Sequence, residues 1–162
     1  YGGIDQRKIL MFARENLPKV NYKSRIEVMT PLIPGLIGKK MSASDPKSKI
    51  ELLDDEKTVQ DKIKSAYCEE GVIEDNGVLA FLKQVIFPLK QDNNAAFTIE
   101  RPEKYGGNLS FKTYEELESI FVQKKLHPLD LKVALAREIN ILLKPFRENK
   151  ERLEKISKEG YQ

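Results

Sequence analysis

Apolar positions along this chain follow first a helical period, then an alternating one, and then a helical period again. In residues 6–16 they recur every three or four positions behind a glycine pair and stop near Pro18, which predicts a helix. Residues 25–29 alternate and end at a Thr-Pro pair, which predicts a short strand. Residues 31–38 contain two prolines and two glycines and are expected to form a loop. Helix, strand and loop in this order are typical of the last part of a doubly wound α/β domain.

Beyond residue 45 the helical period prevails. Helices are predicted over residues 56–67 and 76–87, the second with Asp75 as its N-cap and Pro88 as its stop. The segment Thr113-Tyr114-Glu115-Glu116 has the form of a capping box and predicts the start of another helix.

Two short strands and a long helix complete the pattern. The strands are predicted at residues 97–99 and 109–111. An apolar stripe over residues 131–146 predicts a long helix that Pro145 should kink or interrupt.

The pattern divides the chain into two predicted domains. Residues 1–45 are expected to be the tail of an α/β domain, and residues 46–162 a mainly α-helical domain.

Composition narrows the class of protein. The chain has 162 residues, of which 40% are hydrophobic and 33% charged, as in ordinary soluble globular proteins. Its apolar runs are too short to span a bilayer and no leader pattern opens it, so no membrane association and a cytoplasmic location are expected. One cysteine and one histidine predict neither a disulfide nor a metal site, and Cys68 is interpreted as a packing residue.

Charge is unevenly distributed although the net charge is only +3. Basic residues outnumber acidic ones 10 to 4 in residues 1–50 and 13 to 10 in residues 101–162, whereas acidic residues prevail 11 to 5 between them. This distribution suits contact with phosphates at both ends of the chain, but surface charges are commonly only solvated.

Two glycine-containing segments carry groups suited to nucleotide chemistry. In Gly38-Lys39-Lys40-Met41-Ser42-Ala43-Ser44, a lysine and two serines offer donors for a departing phosphate group. In Gly2-Gly3-Ile4-Asp5-Gln6, a glycine permits close approach of a ligand, while a carboxylate and an amide offer mixed polarity. Taken alone, the first segment is equally compatible with an exposed polar loop, and Asp5 reads as a cap of the following helix.

Together the two segments resemble a known family. The Lys40–Ser44 stretch resembles the Lys-Met-Ser-x-Ser signature of class I aminoacyl-tRNA synthetases, and the glycine pair with Asp5 and Gln6 resembles the Gly-Gly-x-Asp-Gln segment of tyrosyl-tRNA synthetases. The fold implied is the end of a Rossmann-like catalytic domain followed by a helical anticodon-binding domain.

The resemblance also implies roles for single residues. Residues implied to stabilise the departing pyrophosphate as catalytic groups are Lys40, Ser42 and Ser44, with Met41 packing their loop. Residues implied to bind tyrosine, ribose or adenine are Gly3, Asp5, Gln6, Leu32 and Ile33.

Ala43 departs from the bacterial form of the signature, which has a second lysine there. Archaeal and eukaryotic tyrosyl enzymes often have a small residue at this place, so the resemblance is to that branch. Lys39 is a hypothetical substitute for the missing cation, which an unchanged pyrophosphate exchange in Lys39→Ala would exclude.

A second, independent resemblance lies downstream. Residues 101–108 and 126–132 resemble the stretches that grip the anticodon in these enzymes, with Asp130 implied to accept hydrogen bonds from a guanine and Tyr105 and His127 to stack on it. Pro128 in the first helical turn would make His127 the N-cap and Asp130 the third helical residue. In isolation Asp130 reads as a helix-end stabiliser, Tyr105 as a turn aromatic and His127 as a surface histidine. Their joint occurrence with the synthetase-like loop favours the anticodon role instead.

Charges near this segment have two interpretations. Lys124, Lys125, Lys132 and Arg137 are candidates for tRNA phosphate contacts, which position RNA without specifying it. The Lys/Glu-rich residues 144–158 read instead as a solvated face with i,i+4 pairs.

The implied activity is a tyrosine-tRNA ligase that uses ATP with Mg²⁺ and tRNA-Tyr as substrates and has no tightly bound cofactor. A class I site also needs a His-x-Gly-His signature, and the only histidine here is His127. An N-terminal catalytic half is therefore expected elsewhere, the complete enzyme is expected to be a homodimer, and this fragment alone is expected to be inactive. Alternatives are a noncatalytic RNA-binding module, a tryptophanyl relative and an unrelated helical scaffold.

Overall fold

The computed structural model describes residues 1–37 and 45–160. Its contacts divide the chain into two compact units, Tyr1–Ile33 and Pro34–Gln162, each described separately below. The domain boundary between residues 45 and 46 stays a prediction.

The first unit is a small parallel α/β arrangement. Its elements are strand β1 (Gly2–Gly3), a 3₁₀ turn (Ile4–Gln6), helix α1 (Arg7–Asn16), a second 3₁₀ turn (Leu17–Val20) and strand β2 (Met29–Thr30). β1 pairs with β2 in parallel, with Gly2 opposite Met29 and Gly3 opposite Thr30. The predicted helix is confirmed, whereas the strand expected over residues 25–29 is shorter and shifted because β1 offers only two residues to pair with.

The second unit is mainly helical. Its elements are α2 (Glu56–Ser65), α3 (Gly77–Phe81), α4 (Phe87–Asp92), β3 (Phe97–Ile99), β4 (Leu109–Phe111), α5 (Tyr114–Val122), α6 (Pro128–Glu148) and α7 (Lys150–Gly160). β3 and β4 form an antiparallel hairpin, and α2 packs along α6. Apolar side chains from all of these elements except α7 meet in one core, whose largest fully buried members include Phe87, Phe97 and Phe121.

The helix expected over residues 76–87 differs from the prediction at both ends. Asn76, not Asp75, is its N-cap: the Asn76 side chain accepts a hydrogen bond from the Leu79 N–H at 3.1 Å, while Asp75 has a left-handed φ of 52°. Pro88 does not stop the helix, because α3 continues through a wide π turn (Leu82–Ile86) into α4. A wide turn shifts the carbonyl that a proline ring would otherwise strike.

Other local predictions are confirmed. Thr113 and Glu116 make both hydrogen bonds of a capping box at the start of α5. α7 carries the i,i+4 pairs Lys150–Glu154 and Lys155–Glu159.

Pro145, expected to kink or interrupt the long helix, does not interrupt it, since α6 continues to Glu148.

Cys68 packs beside the core of the second unit, as predicted. Burial raises the pKa of its thiol, and a hydrogen bond from Asn76 opposes that shift only in part. Across residues 1–37 and 45–160, none of the helices combines the length and the apolar character that a membrane span needs. The same residues contain no group of three or more His, Cys, Asp or Glu side chains arranged to hold a metal ion.

Candidate functional site

The first unit brings its predicted binding residues to one edge of the β1–β2 pair. Because the strands are parallel, the segments that follow them leave the sheet on the same side. Asp5 and Gln6 follow β1, and Leu32 and Ile33 follow β2. Open parallel sheets bind ligands beyond the carboxyl ends of their strands.

Gly3 lies next to side chains from both post-strand segments. A β-carbon at Gly3 would overlap the Asp5 carboxylate and lie 3.7 Å from the Leu32 side chain. The two post-strand segments therefore approach each other over the Gly3 backbone. Leu32 is exposed and Ile33 is half-buried.

Asp5 does not cap the following helix. The N-cap of α1 is Gln6 and that of the preceding 3₁₀ turn is Gly3, and neither has a side-chain cap bond. The exposed Asp5 carboxylate instead accepts a long 3.4 Å hydrogen bond from the Gln6 side-chain amide. Because the carboxylate is exposed, a ligand donor can reach it from solvent.

The four residues predicted at the signature loop, Lys40, Met41, Ser42 and Ser44, lie outside the described residues. The segments on either side of them are described, and both are held in the second unit. Leu36 donates its N–H to the carbonyl of Ser48 at 3.0 Å, and its own carbonyl accepts from the N–H of Tyr67 at 2.6 Å. The Leu36 side chain is buried in the core.

Tyr105 lies in the loop that joins β3 to β4. The residue is 61% exposed, in a short 3₁₀ turn (Glu103–Tyr105), and the Lys104 Nζ lies 4.8 Å from the ring centroid. Gly106 and Gly107 follow with φ values of 91° and 68°, a left-handed conformation that favours glycine. The loop therefore turns back sharply and leaves the aromatic ring outside.

The start of α6 has the predicted geometry. His127 is the N-cap, and its Nδ1 accepts a hydrogen bond from the Leu129 N–H at 3.1 Å. A neutral imidazole with this acceptor carries its proton on Nε2, which leaves that N–H for another partner. Asp130 is the third helical residue and is partly exposed, so its carboxylate lies at the positive end of the helix.

The two anticodon-like segments are linked directly. Nη1 of Arg101, in the Tyr105 loop, donates to the carbonyl of Lys125, two residues before His127, at 3.4 Å. This link was not predicted, although Arg101 is within the first segment, because nothing in its local pattern identifies a partner 24 residues away.

The predicted phosphate contacts fall into two groups. Lys132 donates to the Lys64 carbonyl at 3.1 Å, and Arg137 bonds to Glu100 and to the Thr98 carbonyl, so both cations have partners within the unit. Lys124 and Lys125 are exposed in the turn before α6.

Comparison with known proteins identifies the family. The model of the class I tRNA synthetases (W and Y) matches residues 1–144. The chain belongs to this family. The predicted class I fold of the Tyr/Trp type, with its largely helical content, is thereby confirmed.

Relatives named tyrosine–tRNA ligase are similar along the chain. The cytoplasmic one from Saccharomyces cerevisiae is 47% identical over an aligned length of 169 residues. The alignment covers 99% of this chain and 43% of the relative. That from Natronomonas pharaonis is 51% identical, covering 91% of this chain and 43% of the relative. The chain thus spans less than half the length of these two proteins.

Solved structures agree in fold. Tyrosyl-tRNA synthetase from Archaeoglobus fulgidus, complexed with L-tyrosine, superposes with a TM-score of 0.83 at 44% identity, covering 91% of this chain and 44% of that one. A tryptophanyl-tRNA synthetase from Giardia lamblia has a TM-score of 0.64 at 23% identity, covering 93% of this chain and 34% of that one, which shows a shared fold alone.

Proposed function

We propose that this chain is part of an archaeal- or eukaryotic-type tyrosine–tRNA ligase. The complete enzyme activates tyrosine with magnesium-ATP and transfers it to tRNA-Tyr. The observation that carries the proposal is 47% identity to a tyrosine–tRNA ligase over 99% of the chain. Relatives labelled cytoplasmic support a cytoplasmic location.

The edge beyond β1 and β2 is proposed to bind the aminoacyl-adenylate. The exposed Asp5 carboxylate accepts from ribose hydroxyls or from the tyrosine ammonium, and the Gln6 amide donates and accepts beside it. Gly3 lets the ligand approach the backbone, while Leu32 and Ile33 lie beside adenine.

The signature loop is proposed to stabilise the departing pyrophosphate. Negative charge grows on the pyrophosphate as the adenylate forms, so a cation and hydroxyl donors lower the barrier. Lys40 supplies the charge, Ser42 and Ser44 supply donors, and Met41 packs the loop. Lys39 is proposed to replace the cation that Ala43 lacks.

Tyr105, His127 and Asp130 are proposed to read the anticodon guanine. An exposed aromatic ring and an imidazole offer flat surfaces for stacking, and a carboxylate accepts from the N1–H and N2–H groups of guanine. Each stacked base contributes roughly 1–3 kcal/mol. The Arg101 bond to Lys125 supports their grouping in one site.

Catalysis is proposed to need a second half with the His-x-Gly-His signature, in a complete enzyme that is a homodimer. The 162-residue chain alone is expected to give no tyrosine-dependent ATP–pyrophosphate exchange. Exchange by the purified chain would contradict this part of the proposal.

The proposed guanine reader, formed by Tyr105, His127 and Asp130, is tested by measuring tRNA-Tyr binding to the 162-residue chain. A transcript with the anticodon guanine replaced by cytosine is expected to bind about tenfold more weakly, equivalent to ~1.4 kcal/mol. Asp130→Ala should abolish the difference, whereas Asp92→Ala, which removes an exposed carboxylate from the end of α4, should preserve it. Equal binding of both transcripts by the unmodified chain would refute the proposed reader.

A further inference from the structure

We infer that Arg101 is a positioning residue that holds the Tyr105 loop against the start of α6, so that the loop and the helix act on RNA as one preformed site. This inference rests on the proposed function, because it concerns how the proposed guanine reader is assembled. It assigns Arg101 no contact with RNA.

Arg101 first organises its own loop. Its Nε donates to the Gly107 carbonyl at 3.0 Å, and its main-chain N–H donates to the Asn108 side-chain oxygen at 3.0 Å. A β-carbon at Gly106 would lie 3.4 Å from Nη2, so the guanidinium lies against this turn. The side chain thus braces the turn that presents Tyr105.

The same guanidinium reaches the segment that leads into α6. Nη1 donates to the Lys125 carbonyl at 3.4 Å, and the Lys125 N–H in turn donates to the Ile120 carbonyl at the end of α5 at 3.1 Å. Leu126, the next residue, is fully buried. The bond therefore ties an exposed loop to a segment fixed in the core, immediately before His127.

This arrangement needs arginine. The planar guanidinium presents several N–H groups in fixed directions, so one side chain serves carbonyls from two segments at once. A lysine retains the charge but carries its donors on one nitrogen atom. A lysine therefore cannot reproduce both bonds with the same geometry.

Preorganisation connects these contacts to recognition. A loop that must be ordered on binding spends part of the interaction energy on that ordering. Loss of Arg101 should therefore reduce the preference for guanine, which depends on a stack and a carboxylate being in register. Binding to the cytosine transcript, which does not use that register, should be nearly unchanged.

The experiment compares Arg101→Lys and Arg101→Met with the unmodified chain, using the guanine and cytosine transcripts over a range of salt concentrations. In both variants the ratio of guanine-transcript to cytosine-transcript affinity should fall at least fivefold. Their affinity for the cytosine transcript should stay within twofold of that of the unmodified chain, and the salt slope should not change. Hydrogen exchange of the Tyr105, Gly106 and Gly107 amides should be faster in both variants. Lys112→Met, which removes an exposed cation beside β4, should change none of these values.

Three outcomes would overturn the inference. Equal weakening of both transcripts in Arg101→Met, with recovery in Arg101→Lys, would make Arg101 a phosphate contact. Full guanine preference in both variants, with Asp130→Ala still losing it, would refute the positioning role while leaving the proposed function intact. Equal binding of both transcripts by the unmodified chain would refute both. Thermal unfolding checks that the variants are folded. If Arg101→Met does not fold, the comparison is made with Arg101→Lys.

Discussion

The main chain of Gly77, the first residue of α3, lies directly against that of Gly35. A β-carbon at Gly77 would lie 2.5 Å from the Gly35 carbonyl oxygen and 3.2 Å from the Cα of Leu36. Both glycines are buried. This backbone contact, together with the Tyr67 N–H bond to the Leu36 carbonyl, fixes the segment that precedes residues 38–44 to the helical core.

Gly77→Ala should therefore destabilise the second unit. The added methyl group meets backbone atoms that cannot rotate away, and overpacking of this kind costs about 1–3 kcal/mol of the free energy of unfolding. Urea unfolding followed by circular dichroism measures the change. Gly160→Ala is the matched control, because nothing apart from the adjacent backbone of its own helix lies within 4 Å of a β-carbon there. Similar unfolding midpoints for both variants would contradict the prediction, because they would mean that the Gly35 backbone shifts to accommodate the added methyl group.

Lys132 is expected to stabilise the fold and not to bind RNA phosphate. Its Nζ donates to the Lys64 carbonyl near the end of α2, where the helix dipole favours a cation. Lys132→Met should lower the free energy of unfolding by about 0.5–1.5 kcal/mol. The salt dependence of tRNA binding should not change.

The exposed Lys125 offers the contrasting case. Lys125→Met should leave the unfolding free energy unchanged and should reduce the salt slope of tRNA binding by about 0.7–0.9, the value for one lost phosphate contact. If the slope instead falls in Lys132→Met, the ammonium of Lys132 leaves the Lys64 carbonyl to bind phosphate.

Local signals predicted the starts of elements better than their ends. The capping box of Thr113 and Glu116 and the N-cap at His127 involve partners two or three residues away, so the sequence contains all the information needed. Continuation of the helix through Pro88 was not predictable from that residue, because it depends on the preceding π turn. The choice of Asn76 over Asp75 as N-cap likewise depends on the φ of Asp75, which no pattern reveals.

Prediction of the site was limited by distance along the chain. Motifs identified the separate segments, and parallel pairing of β1 and β2 explains why Gly3 and Leu32 lie close together. Arg101 bonds to Gly107 and Lys125, six and 24 residues away, and no local pattern in the sequence indicates either partner. The hydrogen bond from Lys132 to the carbonyl of Lys64, 68 residues away, could not be predicted for the same reason.

Asp55 should make stability depend on pH in the acid range. Hydrogen bonds from Thr58 to this N-cap carboxylate lower its pKa from the ordinary value of 3.8. Because the folded-state pKa lies below the unfolded value, the contribution is fully present above about pH 3.8 and is lost as the pH falls through the folded-state pKa. Asp55→Asn keeps an accepting oxygen but cannot titrate. Its free energy of unfolding should therefore lack this component of the pH dependence below pH 4, and identical acid profiles for the two proteins would contradict the assignment.

His127 is expected to have two separable roles. As an N-cap it accepts the Leu129 N–H, and its ring is proposed to stack on a base. His127→Ala should lose both, at a cost of about 1 kcal/mol in the free energy of unfolding and a loss of roughly 1–3 kcal/mol in tRNA-Tyr binding. His127→Asn replaces the acceptor without the ring, so it should restore stability while binding stays weak. Thermal unfolding and tRNA binding measured on both variants distinguish the roles. Recovery of binding in His127→Asn would mean that His127 acts on RNA only by setting the start of α6, and base stacking would then fall to Tyr105 alone.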